Sequence, residues 1–147
     1  MAEFRDKFWE NYQKELQDGY FKLVGNKKSL KPEFIVEYPK KIAWQLSDDK
    51  KNKMSQLWKF YDHTMRIRDS LRQSGNSLET LKAELCELQP AVNYAKERGV
   101  VTYKFKNFID FNIECINDNE DLRAFIKHFQ SVIAYLPRKN QDRRDRE

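Results

Sequence analysis

The sequence predicts an all-α fold, a compact bundle of five to six helices. Apolar side chains recur at intervals of three or four along most of the 147 residues, which is the spacing of one helix face. Four glycines and four prolines are too few for the many tight turns of a β-sandwich or barrel. A domain of this length buries about 68–70% of its unfolded surface. We therefore expect one helical domain over residues 1–137, followed by a disordered tail over 138–147.

The first third of the chain predicts two helices separated by a lysine-rich loop. Over residues 2–22, aromatic and apolar residues recur every four positions: Phe4, Phe8, Tyr12 and Leu16. Residues 25–32, GNKKSLKP, are polar and predict a loop, so we expect residues 1–30 to form an N-terminal helix and loop. Pro39 suits the first position of the second helix, since its missing N–H has no helical partner there.

The helix predicted at residues 53–73 has the clearest pattern. One face carries Leu57, Phe60, Tyr61, Thr64, Ile67 and Leu71. Lys59 and Arg66 are seven residues apart and lie together on the opposite face. The sequence thus predicts an aromatic-rich stripe that faces the core and a cationic stripe on the opposite face. The SGNS segment at 74–77 is expected to end the helix.

The remaining chain predicts three more helices. Asn76 and Glu79 resemble a capping box before a leucine-rich helix. Pro90 ends or kinks that helix, and helical spacing continues to Gly99, which we expect to be a C-cap. Residues 104–116 keep helical spacing, and a last helix follows them.

No stretch predicts a catalytic or metal site. Glycine-rich phosphate loops, serine-hydrolase motifs and zinc-protease motifs are absent. His63 and His128 have no second ligand at metal-binding spacing, and the isolated Cys86 and Cys115 are typical of reduced thiols in a cytoplasmic protein. The acidic NDNED segment, 117–121, lacks the glycine and distal glutamate of an EF-hand loop, so we expect it to cap the last helix. We expect no enzyme activity, no metal and no cofactor.

The charge distribution is compatible both with a nucleic-acid surface and with a merely solvated one. The net charge is +5, and residues 21–59 carry ten lysines against four acids, whereas residues 107–137 carry two bases against five acids. A basic block beside an acidic one is typical of a nucleic-acid surface next to a protein-facing one, although lysine-rich faces are often only solvated. No run of 18 apolar residues occurs, and the N-terminus has no basic and apolar signal-peptide regions, so we expect no membrane contact.

Three spaced motifs carry a family resemblance. KMSQLWKFYDHTMRI at 53–67 is followed by LKAELCELQPAVNYAKERG at 81–99 and by a final helix ending in SVIAYL at 131–136. In this order they resemble the small-subunit family of type III-A CRISPR effector complexes, the Csm small subunit, over about residues 40–136. The family often has a base where this chain has Trp58, Met65 and Ala91.

The resemblance implies a non-catalytic, all-helical protein of an antiviral RNA-guided complex. Its copies would stack head to tail beside the backbone and large subunits, along the guide RNA and its target RNA. Lys59, Arg66, Lys96 and Arg98 are then the first-choice RNA contacts. Lys96 and Arg98 also suit the negative end of their helix dipole, which is a purely structural explanation for both.

Three alternatives remain at this point. A helical adaptor that binds only protein would not shift single-stranded RNA at low salt. A DNA-binding helix-turn-helix protein could use the SGNS break as its turn, but the following LETLKAELCEL is acidic, which is wrong for a helix entering a groove. An enzyme would need a site assembled from distant residues.

Overall fold

The computed structural model describes residues 7–137. The expected disordered tail at 138–147 and the first residues of the expected N-terminal helix lie outside the described residues. The elements are α1 (Lys7–Asp18), β1 (Phe21–Val24), β2 (Lys27–Leu30), a 3₁₀ turn (Pro32–Phe34), α2 (Glu37–Asp48), α3 (Met54–Leu71), α4 (Leu78–Cys86), α5 (Leu88–Glu97), α6 (Tyr103–Glu114) and α7 (Asn119–Tyr135). The prediction of a compact helical fold is confirmed, and the described residues contain six helices if α4 and α5, which meet at Glu87, count as one bent helix.

A small β-hairpin replaces the loop expected at 25–32 and the end of the helix expected at 2–22. The helix α1 ends at Asp18, and the strands β1 and β2 then pair antiparallel, with Phe21 opposite Leu30 and Val24 opposite Lys27. Gly25 has a φ of 64°, which is the positive value needed at the first position of a two-residue hairpin loop. The loop prediction was wrong because Gly25 closes a hairpin between two segments that can pair.

The helix ends follow local capping chemistry. The expected capping box of Asn76 and Glu79 is wrong, because Ser77 is the N-cap of α4 and its N–H donates to the Thr80 hydroxyl at 2.9 Å. Asp118 caps α7 as expected and accepts from a backbone N–H of the first turn at 2.8 Å. Gly99, with a φ of 76°, follows α5 as expected.

Two of the four prolines, Pro39 and Pro90, lie in the first turns of helices. Pro39 is the third residue of α2 rather than the first, and Pro90 is the third residue of α5. The first N–H groups of a helix have no intrahelical acceptor, so neither proline removes a helix hydrogen bond. Pro90 therefore marks the bend between α4 and α5 without disrupting α5.

The helix α7 lies at the centre and packs against α2 and α3, while α5 packs against α6. The core between these helices is rich in aromatic rings; Phe105, Phe108, Phe125 and Phe129 are fully buried and contact one another. The helices α3 and α7 run antiparallel, because Tyr61 of α3 contacts Phe129 of α7 with ring centroids 5.7 Å apart, and the end of α3 approaches the start of α7. One end of the molecule therefore holds the start of α7, and the other holds the start of α3.

A buried chain of hydrogen bonds ties α1 into the core. Tyr20 donates to Asn112 Oδ1 at 2.7 Å, and Asn112 Nδ2 donates to the Tyr12 hydroxyl at 2.8 Å. His128 lies between Tyr12 and the Phe34 carbonyl, at 2.6 Å from each. The carbonyl can only accept, so Nδ1 of His128 donates to it and Nε2 accepts from Tyr12. With this assignment every donor in the chain has an acceptor. Because Tyr12 of α1 is a member of the chain, α1 is part of the core.

Candidate nucleic-acid interface

The helix α3 forms the base of the site. Its buried residues are Leu57, Phe60, Thr64, Ile67 and Leu71, as expected from the stripe, while Tyr61 is half-buried. Lys59 and Arg66 are exposed, as their position opposite this stripe requires. Thr64 satisfies its buried hydroxyl by donating to the Phe60 carbonyl one turn earlier, at 2.9 Å. Packing therefore fixes the rotation of α3 and, with it, the direction of the cationic face.

A groove runs between α3 and α5, and we call it the α3–α5 groove. It encloses about 190 Å³, and its lining residues are Gln56, Lys59, Phe60, His63, Arg66, Leu88, Ala91, Tyr94, Ala95 and Arg98. The groove thus brings together Lys59, Arg66 and Arg98. The sequence had placed Lys59 and Arg66 on one helix face and Arg98 at the end of another helix. No carboxylate lines this groove, so its polar surface is cationic and neutral.

The cations of this groove are available for a ligand. Within the described residues 7–137, no acid forms an ion pair with Lys59, Arg66 or Arg98. The Arg98 guanidinium lies 5.5 Å from the centroid of the Tyr94 ring, a cation–π contact that orients it without neutralising it. Tyr94 is 65% exposed, so the other side of its ring is open to solvent.

Lys96 is not part of the α3–α5 groove. It is half-buried on another side of α5, and its ammonium forms an ion pair with Glu97 at 3.3 Å. Its position in the last turn of α5 fits the dipole explanation. Of the four residues expected to contact RNA, three therefore come together and Lys96 does not.

Sequence reasoning missed two residues of this groove. His63 lies between Lys59 and Arg66 on the same side of α3, although the sequence singled out only these two cations there as RNA contacts. Tyr94 belongs to the Leu-x-Pro-x-x-x-Tyr-Ala-x-x-Arg motif, which places it one turn before Arg98. Ala91 also lines the groove and contributes no charge to it.

The arrangement suits contact with a nucleic-acid backbone. Lys59 and Arg66 are about 10.5 Å apart along α3 at 1.5 Å per residue, so they would contact different phosphates of one strand. An exposed tyrosine beside an arginine provides a surface on which a base or sugar can stack. In the described part of the chain, no three His, Cys, Asp or Glu side chains come together to hold a metal ion. None of the described helices combines the length and apolarity that crossing a bilayer requires.

Comparison with known proteins identifies the family. A family model described as Csm2 Type III-A matches residues 29–141. The match covers well over half of the chain, which therefore belongs to the Csm2 family and is a small subunit of type III-A CRISPR Csm complexes. The match excludes α1 and β1 and includes both helices of the α3–α5 groove. No curated protein and no solved structure matches the chain.

Proposed function

We propose that this Csm2-family subunit is non-catalytic, stacks into a filament along the guide and target RNA, and contacts the RNA backbone through the α3–α5 groove. The observation that carries this proposal is the meeting of Lys59, Arg66 and Arg98 in one groove that no acid lines. We assign direct phosphate contacts to these three residues. Lys96 is assigned a weaker contact, because Glu97 already pairs with it.

Backbone contact fits the division of labour in an RNA-guided complex. Phosphate contacts position a strand but carry no sequence information. Pairing between guide and target reads the sequence, so the protein needs only to recognise the shape and charge of the strand. A subunit that repeats along the RNA must tolerate every sequence, and a groove of cations beside one aromatic ring has this property.

Patches of opposite charge near the two ends of the molecule support head-to-tail stacking. Exposed acids at the start of α4 and of α7, Glu79, Asp118 and Glu120, line one end. Exposed lysines at the start of α3 and just before it, Lys50, Lys51 and Lys53, mark the other end. The helix α7 separates the two ends by about 25 Å, taking 17 residues at 1.5 Å each. Unlike patches that attract each other form a heterologous contact, which propagates as a filament.

The acidic and basic blocks also meet within one chain. Lys28 of the hairpin forms an ion pair with Glu120 at 3.1 Å. The hydrogen bond to Glu120, helped by the charges of nearby acids, raises the pKa of the Lys28 ammonium. This lysine is therefore already paired and contributes less to a contact between copies. The lysines around the start of α3 are then the ones available for the contact between copies. The backbone and large subunits of the complex would flank the resulting filament.

The test of RNA contact is the double variant Lys59→Ala/Arg66→Ala in the assembled complex with target RNA. Both side chains are exposed, so the fold should remain intact. Affinity should fall by a similar factor for every RNA sequence, because phosphates are alike. The slope of log affinity against log salt should decrease by up to about 1.4, at about 0.7 for each phosphate contact on a single strand.

A matched control removes the same charge elsewhere. Lys7→Ala/Lys14→Ala alters two exposed lysines of α1, which lines no part of the groove, and should leave the salt slope unchanged. If the Lys59/Arg66 variant assembles normally and binds RNA with unchanged affinity and slope, the cations are only solvated. A helical adaptor that contacts protein alone would then be the better interpretation.

A further inference from the structure

A second cationic groove lies on the other side of α3, where the end of this helix approaches the start of α7. We call it the α3–α7 groove. It also encloses about 190 Å³ and is lined by Arg68, Leu71, Arg72, Arg123, Ile126, Lys127 and Gln130. Four of its seven lining residues are bases and none is an acid.

Most of this charge is unpaired. Arg68 forms an ion pair with its neighbour Asp69 at 3.2 Å, and both side chains are partly exposed, so water screens that contact. Arg72, Arg123 and Lys127 are exposed, and no acid of residues 7–137 forms an ion pair with them. Bringing these bases together costs repulsion that a bound anion would relieve.

The two grooves are separate surfaces. They share no lining residue. The exposed face of α3 between them carries two acids, Asp62 and Asp69, which are seven residues apart and therefore on one line along the helix. A phosphate strand lying across these acids would meet like charge, so one strand would not lie across both grooves.

The chemistry of the α3–α7 groove favours phosphates over an acidic protein segment. Three of its four bases are arginines, whose planar guanidinium binds two oxygens of one phosphate. Its two apolar residues are almost fully buried, Leu71 at 7% exposure and Ile126 at 3%, so they offer little area to a protein partner. Protein interfaces need an apolar centre that this groove does not have.

We propose that the α3–α7 groove, through Arg68, Arg72, Arg123 and Lys127, is a second binding site for the phosphate backbone of RNA, independent of the α3–α5 groove. The choice of RNA as the ligand rests on the proposed function, whereas the site itself rests on the groove. The subunit would then hold two stretches of RNA backbone, one on each side of α3.

The test compares three double variants in the assembled complex with target RNA. Arg72→Gln/Arg123→Gln removes two charges from the α3–α7 groove, Lys59→Gln/Arg66→Gln removes two from the α3–α5 groove, and Lys7→Gln/Lys14→Gln is the control. The first should lower the salt slope by up to about 1.4, and combining it with the second by up to about 2.8. Arg72→Lys/Arg123→Lys should keep the slope of the unmodified complex, because it retains both charges.

Each outcome decides the proposal. Unchanged affinity and slope in the Arg72/Arg123 variant, with a lower slope in the Lys59/Arg66 variant, would overturn the second site and leave the proposed function standing. No change in either variant would overturn both. If the Arg72→Gln/Arg123→Gln subunit keeps its helical circular-dichroism signal but no longer enters the complex, the groove binds a protein partner, and the RNA proposal fails.

Discussion

Lowering the pH from 7 to 4 should destabilise this protein through His128. The ring is fully buried, and burial, opposed in part by the hydrogen bond to the Phe34 carbonyl, lowers its pKa to about 4. A histidine in the unfolded chain has a pKa of about 6.5. Between these two values the unfolded chain binds a proton that the folded chain does not, so stability must fall as the pH falls.

The size of this effect follows from the difference between the two pKa values. About 2.5 units at 1.36 kcal/mol each is about 3 kcal/mol, present in full above about pH 6.5 and lost progressively as the pH falls to about 4. Total stabilities of small domains are about 5–15 kcal/mol, so this loss is a large fraction. The hydrogen bonds agree with the sign, because a protonated Nε2 could no longer accept from the Tyr12 hydroxyl. That hydroxyl remains protonated throughout, since burial raises its pKa well above the ordinary value.

Urea unfolding followed by tryptophan fluorescence, at several values between pH 7 and pH 4.5, measures the effect. Acidic side chains also respond to pH, so the useful quantity is the difference in free energy of unfolding between the unmodified chain and His128→Asn. The asparagine keeps a donor for the Phe34 carbonyl but does not titrate. This difference should shrink as the pH falls, by up to about 3 kcal/mol over the full range. A difference that stays constant, or grows, would refute the assignment of a buried neutral imidazole.

Three further predictions follow from the fold and the proposed function. Asn112→Ala should lower the free energy of unfolding by about 2–4 kcal/mol in the same urea assay, because it removes the acceptor of Tyr20 and leaves a cavity. A loss below about 1 kcal/mol would mean that the buried chain of hydrogen bonds contributes little. The isolated subunit should not cleave RNA with Mg²⁺ or Mn²⁺, and cleavage that disappears on replacing one of its acids would contradict this. In an assembled complex, neighbouring copies should be related by translation and rotation along the RNA, and two-fold axes between them would rule out the head-to-tail contact.

Local patterns predicted the helices because each pattern lies within one element. The stripe of α3 fixed a helix at 53–73, and the structure has Met54–Leu71. The hairpin was missed although Gly25 and Asn26 form a two-residue loop signal, because the polar composition of 25–32 obscured the pairing. The role of α1 was not predictable, since Tyr12 and His128 are 116 positions apart in sequence.

The candidate site was predictable where helical geometry decides it. Lys59 and Arg66 share a helix face, so their proximity followed from the sequence alone. Arg98 and Lys96 were indistinguishable by that reasoning, and only the packing of α5 beside α3 separates them. The second groove was missed because Arg123 and Lys127 are the two bases of the acidic segment 107–137, and the net charge of a segment does not reveal which helix face holds its bases.

The buried chain of hydrogen bonds also has an evolutionary consequence. Two of its members, Asn112 and His128, lie inside residues 29–141, which the family model matches, whereas Tyr12 and Tyr20 lie before that range. In a relative without a counterpart of α1 and of the residues after it, these two polar side chains would be exposed or would lack hydrogen-bond partners. Selection would then favour apolar side chains at both positions. Asparagine and histidine there should therefore be inherited together with two upstream tyrosines.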